Sequence, residues 1–243
     1  MIDDPLMARA RRLWETLSGG PVPFAPDGGP VVVTAPASAL CPPGWVGSVL
    51  LGDAALVTAP TDEVADAVRR ALKDEPGMLV EPGAIARALP VADVLGPATL
   101  ACLSPDGFRP YEPPDVTVAT LPAGDPELLK LLASVSEEDA GECGLDEITS
   151  PAFVVREATG LVAAAGYRDW PGETAHLCVL TAPQARGRGL ARAVASAATD
   201  HALAADRLPQ WRARPEASRR VARALGYREL GRQLSFRLRS GPH

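Results

Sequence analysis

The chain has 243 residues and a net charge of −6, with 47% of its residues hydrophobic and 22% charged. It is too apolar for an intrinsically disordered chain, has no uninterrupted apolar run near the ~20 residues that span a bilayer, and is long enough for one or two domains with a sizeable core. The charge is polarised: residues 184–243 hold 13 arginines against four acids, whereas residues 1–183 hold 11 basic and 26 acidic side chains. Cys41, Cys102, Cys143 and Cys178 are scattered without C-x-x-C or Cys/His grouping, which predicts reduced thiols and no metal site. The N-terminus lacks an apolar signal core, so the expected location is the cytoplasm, with no membrane partner.

In chain order, Met7–Leu17 reads as a helix stopped by Ser18-Gly19-Gly20-Pro21, and Val31–Thr34 as a strand. Trp45–Leu51 and Ala54–Thr58 flank Gly52-Asp53, a tight-turn pair, and predict a β-hairpin. Thr61 caps a helix whose Val64, Ala67, Val68, Ala71 and Leu72 share one face. A short helix near Gly83–Leu89 and a strand at Ala98–Leu103 close this half. Residues 104–115 contain four prolines, which lack ladder donors and fix φ, so they predict a semi-rigid linker and a boundary between domains 1–114 and 115–243.

Beyond it, Val116–Thr120 is a predicted strand and Asp125-Pro126 starts a helix to about Val135. Phe153–Arg156, Leu161–Tyr167 and Ala175–Leu180 are apolar strands, the first two joined through Glu157–Gly160. An Ala-rich helix over about Gly189–Ala205, a strand Pro209–Arg214 and a helix Glu216–Leu225 follow. Tyr227–Leu230 and Leu234–Leu238 predict a final strand pair. The fold class is mixed α/β of the α+β type: a C-terminal domain with a central mixed sheet flanked by helices, preceded by a smaller α/β domain.

The segment His176 to Ala191 carries the sharpest signal. An apolar strand runs into a turn holding Gly187 and Gly189, and a helix begins at once. Free backbone N–H groups there, with the positive helix end, can cradle phosphate, and Arg186 and Arg188 add charge. Alternatively the glycines merely turn the chain and the arginines stay solvated. No Gly-Lys-Ser/Thr follows, which excludes a Walker loop, and the third glycine of a dinucleotide fingerprint is missing.

Gln184-Ala-Arg-Gly187-Arg-Gly189 resembles the Gln/Arg-x-x-Gly-x-Gly/Ala signature of the GNAT acetyltransferases, and Leu225-Gly226-Tyr227 resembles that family's second landmark. The resemblance covers about the last half of the chain. It implies acetyl-CoA as co-substrate and transfer of its acetyl group to an amine, borne by a small molecule or a peptide. By resemblance, the backbone of Val179 and Thr181 pairs with the pantetheine arm where two strands splay. Gln184, Arg186, Gly187, Arg188, Gly189, Leu190 and Ala191 form the pyrophosphate loop, and Ser218 or Arg219 contacts the cofactor's far end. The arginine surplus then accompanies an anionic ligand.

For catalysis, counting back along the strand places Glu173 where some family members have a general base, although a solvated turn carboxylate fits equally. His176 is a possible proton shuttle or simply a packed side chain. Glu137, Glu138, Asp139, Glu142, Asp146 and Glu147 suggest an acidic rim that attracts a cationic amine, or only a solvated loop; Glu142 is its preferred member. Ala222 and Pro215 stand where the family often has a Tyr acid and an Asn, and Tyr227 takes a core position. A CoA-binding module without turnover is therefore the alternative. Nucleic acid is not expected as a partner, because the arginines alternate with core-type residues and few aromatics interleave. The N-terminal half is either a degenerate second lobe of the same kind or an unrelated cap or dimer contact, so a homodimer is possible.

Overall fold

The computed structural model describes residues 4–20, 22–74, 76–158 and 160–239. Pro21, expected to help stop the first helix, and Thr159, in the expected turn at 157–160, lie outside the described residues. The chain forms two compact units: residues up to Leu100 together with those from Glu229 onward, and Ala101–Arg228. The boundary expected at 114/115 falls inside the second unit.

In the first unit, α1 (Pro5–Leu17) starts earlier than expected, because Asp4 caps it, accepting from the Leu6 N–H at 3.1 Å, with Pro5 as its first residue. It buries Leu6, Ala10, Leu13 and Trp14. Strands β1 (Gly29–Thr34), β2 (Val46–Leu51) and β3 (Ala54–Ala59) follow, with β2 and β3 forming the expected hairpin across Gly52-Asp53. Helices α2 (Asp62–Asp74) and α3 (Pro82–Ala88) precede the long β4 (Val91–Cys102). Leu234 and Phe236 join Val57, Val68, Met78 and Ile85 in this unit's core.

The expected final strand pair is one continuous strand, β10 (Arg228–Leu238), running antiparallel to β2 with Gly231 opposite Leu51. Gly231 is not a turn residue. A Cβ there would lie 1.8 Å from the Leu50 carbonyl oxygen, so glycine is needed for close strand approach. Buried Gln233 donates from Nε2 to the Leu40 carbonyl at 2.6 Å.

In the second unit, β5 (Ala119–Leu121) is shorter and later than the expected Val116–Thr120. It is followed by α4 (Pro126–Ala133), α5 (Glu137–Cys143), β6 (Ala152–Glu157), β7 (Gly160–Trp170), β8 (Thr174–Thr181), α6 (Leu190–Ala204), β9 (Leu208–Ala213) and α7 (Glu216–Ala224). The strand order is β9-β8-β7-β6-β5, antiparallel except for β8 and β9. Side-chain alternation sorts the core. Tyr167, Leu177, Val194, Trp211, Leu225 and Tyr227 pack on the α6 face, and Leu128, Leu131, Ile148, Val154, Cys178 and Leu180 on the α4 face.

Residues 104–115, expected as a linker, instead pack onto this unit. Arg109 N–H donates to the Leu225 carbonyl (3.0 Å) and Tyr111 N–H to Ser196 Oγ (2.8 Å), while Phe108 and Tyr111 rest on the apolar core. Proline supplies no ladder donor, but its fixed φ suits a strap whose remaining amides bond to helices. The four cysteines form no disulfide. No helix of the described residues is long and apolar enough to cross a membrane, and the described residues hold no cluster of three metal-ligating side chains.

Candidate functional site

Strands β8 and β9 pair only at Thr174↔Leu208, Ala175↔Pro209 and His176↔Gln210, although both continue, to Thr181 and Ala213. They therefore separate after His176. Which groups face the gap follows from the ladder. The Ala182 N–H donates to the Val162 carbonyl, on the β7 side, and the Glu173 carbonyl accepts from Leu208 N–H, on the β9 side. Backbone groups alternate along a strand, so Leu177 turns its carbonyl, Val179 both its groups and Thr181 its N–H toward the opening. The Leu177 N–H serves the last paired position, and the Thr181 carbonyl accepts from Arg186 Nε. Thr181 Oγ1 is sealed without a hydrogen-bond partner. An extended polar chain entering the gap would meet unpaired main-chain donors and acceptors.

At the wide end of this gap, Pro183–Ala185 form a short 3-10 turn, and Gly187 (φ +78°) and Gly189 (φ +79°) bring the chain into α6. Gly189 is the N-cap, so no side chain caps the helix, and no acid lies in its first turn. The amides of Leu190 and Ala191 are thus free to bind an anion at the positive helix end. Nothing lies within 4 Å of where a Gly187 Cβ would stand, whereas a Gly189 Cβ would come within 3.0 Å of the Tyr111 hydroxyl. Gln184 lies within the 3-10 turn. This donor set suits a phosphorylated ligand with an extended polar arm.

Residues 140–232 match the family model of the GNAT acetyltransferases. The match spans 93 of the 243 residues. Among solved structures, the chain resembles a GCN5-related N-acetyltransferase from Kribbella flavida (17% identity, 80% of this chain and 90% of that one, TM-score 0.51). It also matches a GCN5-related N-acetyltransferase-like protein from Streptococcus suis (16%, 96% and 99%, TM-score 0.48) and a GNAT-family protein from Novosphingobium aromaticivorans (21%, 60% and 65%, TM-score 0.48). At such identities the likeness concerns the fold. No curated protein matches the sequence.

The arginines of the Gly187–Gly189 loop, expected to face phosphate, are held by carboxylates. Arg186 pairs with Asp139 (2.8 Å) and donates to the Thr181 carbonyl (3.3 Å), and Arg188 pairs with Glu157 (2.6 Å). The Arg186 hydrogen bond holds the Asp139 carboxyl below its usual range, with Ser136 assisting. Such half-exposed pairs contribute only ~0.2–1 kcal/mol each, so an incoming polyanion could displace them. Elsewhere in the basic segment, Arg232 pairs with Glu81 and Arg237 with Asp93. Much of the C-terminal surplus is thereby matched locally rather than gathered at the cradle.

The acidic segment behaves alike. Glu142 pairs with Arg214, Glu147 with Arg168 and Asp139 with Arg186. Glu142 is therefore an ion-pair member at the end of α5, not an isolated carboxylate. Glu173 is an exposed turn residue with φ +54°, and three paired residues, about 10 Å of strand, separate it from the opening. That placement favours the turn-carboxylate alternative. Ser218 Oγ accepts from Trp211 Nε1 at 3.0 Å, which ties it to β9.

His176 lies at the point of separation. Its ring stacks on Trp170 at 4.0 Å between centroids, and its Nδ1 is 2.5 Å from Gln210 Oε1. Burial, with the nearby Arg212 charge, pushes its pKa down to about 3, so the imidazole is neutral at physiological pH. Trp170 and Gln210 carry no motif, and only the strand register exposes them as partners of His176. Tyr227 is buried, its hydroxyl 2.8 Å from that of Thr199 and its ring edge-on to Trp211. Burial raises its pKa above the usual tyrosine value, and its hydroxyl is engaged with Thr199.

Proposed function

We propose that the GNAT domain binds acetyl-CoA and transfers its acetyl group to an amine. The observation that carries this reading is the separation of β8 from β9 beside an uncapped, glycine-built helix start. Together they offer main-chain partners for a pantetheine arm and a pyrophosphate at once. In the reaction, the amine nitrogen bonds to the thioester carbonyl carbon as the carbon–sulfur bond breaks. The proton lost by nitrogen ends on the CoA sulfur, giving an amide and free thiol. Catalysis rests mainly on alignment of the two reactants. The same reading places the protein in the cytoplasm, with its acetyl-CoA supply.

A CoA-binding module without turnover is the second reading. Buried Ala222 and uncapped Pro215 favour it, since neither supplies an acid to the leaving thiolate. Thermal melting with CoA, followed by thiol release from acetyl-CoA with polyamines, amino acids and short peptides, separates the two. CoA stabilisation with thiol release supports the enzyme. Stabilisation with release at background supports the module. No stabilisation refutes both.

A further inference from the structure

Gln210 is wholly buried, yet its carboxamide is only half used. Oε1 meets His176 Nδ1, and Nε2 is sealed with no hydrogen-bond partner. A buried amide left this way costs stability that a leucine of similar shape would not. Gln210 also forms the last paired register position before β8 and β9 part, opposite His176. Trp211 and Ala213 face α6 and α7, so alternation puts Gln210 and Arg212 on the other face, with His176. Trp170, stacked on His176, closes its flank. His176 Nε2 has no hydrogen-bond partner among the described residues.

We propose that Gln210 is a positioning residue of the acceptor site: by accepting the Nδ1 proton of His176, it leaves His176 Nε2 as the neutral acceptor for an N–H of the incoming amine. This rests on the acyl-transfer reading. It implies that the acceptor enters as a free amine rather than as an ammonium captured by a carboxylate. The groups facing His176 agree: the charges acting on it are Arg212 on β9 and Arg168 on β7, both cationic. Of the nearby acids, Glu147 is occupied by Arg168 and Glu142 by Arg214. An amine of low basicity such as a peptide N-terminus is more often in the neutral form at physiological pH than a polyamine is.

The test uses the full chain and two variants, Gln210→Leu and Gln210→Glu. The chain has three histidines, so ¹⁵N spectra with His176→Asn as the assignment control report the His176 tautomer without any turnover. Wild type is expected in the Nδ1–H form, and Gln210→Leu is expected to lose it. Gln210→Leu is also expected to melt no lower than wild type, to keep KM for acetyl-CoA, and to lower kcat about tenfold or more. Gln210→Glu keeps an Nδ1 acceptor, so it should retain turnover at high pH and move the acid limb of kcat upward. An unchanged tautomer in Gln210→Leu overturns the proposal, as does an unchanged kcat, or loss of activity only through unfolding. In those cases wild-type thiol release still stands for the acyl-transfer reading. Absence of release in wild type removes both.

Discussion

Replacing Gly187 by alanine separates the backbone demand of the loop from its ligand. Gly187 has φ +78° and open space around the would-be Cβ, so the methyl meets no protein atom. The folded protein should lose only the left-handed backbone penalty, about 1 kcal/mol, or about 2–4 °C in melting temperature for a chain of this length. Gly124 is a matched control, since it has φ +76° and equally open space but precedes α4. Gly124→Ala should cost about the same stability. The two must differ with ligand. At CoA one hundred times its Kd, wild type and Gly124→Ala should gain about 2.7 kcal/mol. In Gly187→Ala the methyl occupies the space the phosphates need, and a tenfold weaker Kd removes about 1.4 kcal/mol of that gain. Fluorimetric melting over a CoA titration measures each quantity. If Gly187→Ala shifts with CoA as far as Gly124→Ala does, the phosphate cradle is wrongly placed.

Other perturbations probe the frame and its titration. Gly226→Ala would bring a Cβ within 1.9 Å of the Gly107 carbonyl, so urea unfolding should show a loss of about 3 kcal/mol or more, from backbone displacement. Tyr227→Phe strands the buried Thr199 hydroxyl and should cost about 1–3 kcal/mol while leaving kcat for thiol release unchanged; a large fall in kcat at equal folded fraction would restore Tyr227 as a catalytic acid. His176 is neutral when folded, with a pKa of about 3, against about 6.5 when unfolded. The unfolded chain therefore binds the extra proton, and stability should fall as pH drops from about 6.5 toward 3. His176→Asn should flatten that part of the stability profile, and an unaltered slope would mean that the histidine is not buried neutral.

The helices and strands that carry the site were legible because each has a local cause. Asp125 accepts from Glu127 N–H at 2.9 Å as the Asp-Pro pair predicts, and the β2–β3 hairpin turns at Gly52-Asp53. The Gly187–Gly189 loop follows from the need for positive φ between a strand and a helix. Other residues take their meaning from what lies opposite them. Gly231 looks like a turn glycine until Leu50 stands against it, and the prolines of 104–115 look like a linker until their neighbours bond to α6 and the end of α7.

Charge shows the same division. Sequence alone establishes that arginines crowd the last quarter of the chain and carboxylates crowd 137–147, and that a glycine-rich turn lies at the start of the arginine run. Tertiary structure decides which charges are left to act. Ion pairing is a matter of distance, and Arg186, Arg188, Arg168 and Arg214 each meet a carboxylate from another element. The pairing of Gln210 with His176, 34 residues apart, likewise exists only because two parallel strands hold them opposite each other just before they diverge. Backbone conformation is written locally in glycine and proline, whereas the state of a charged or titratable side chain depends on neighbours that only folding brings within reach.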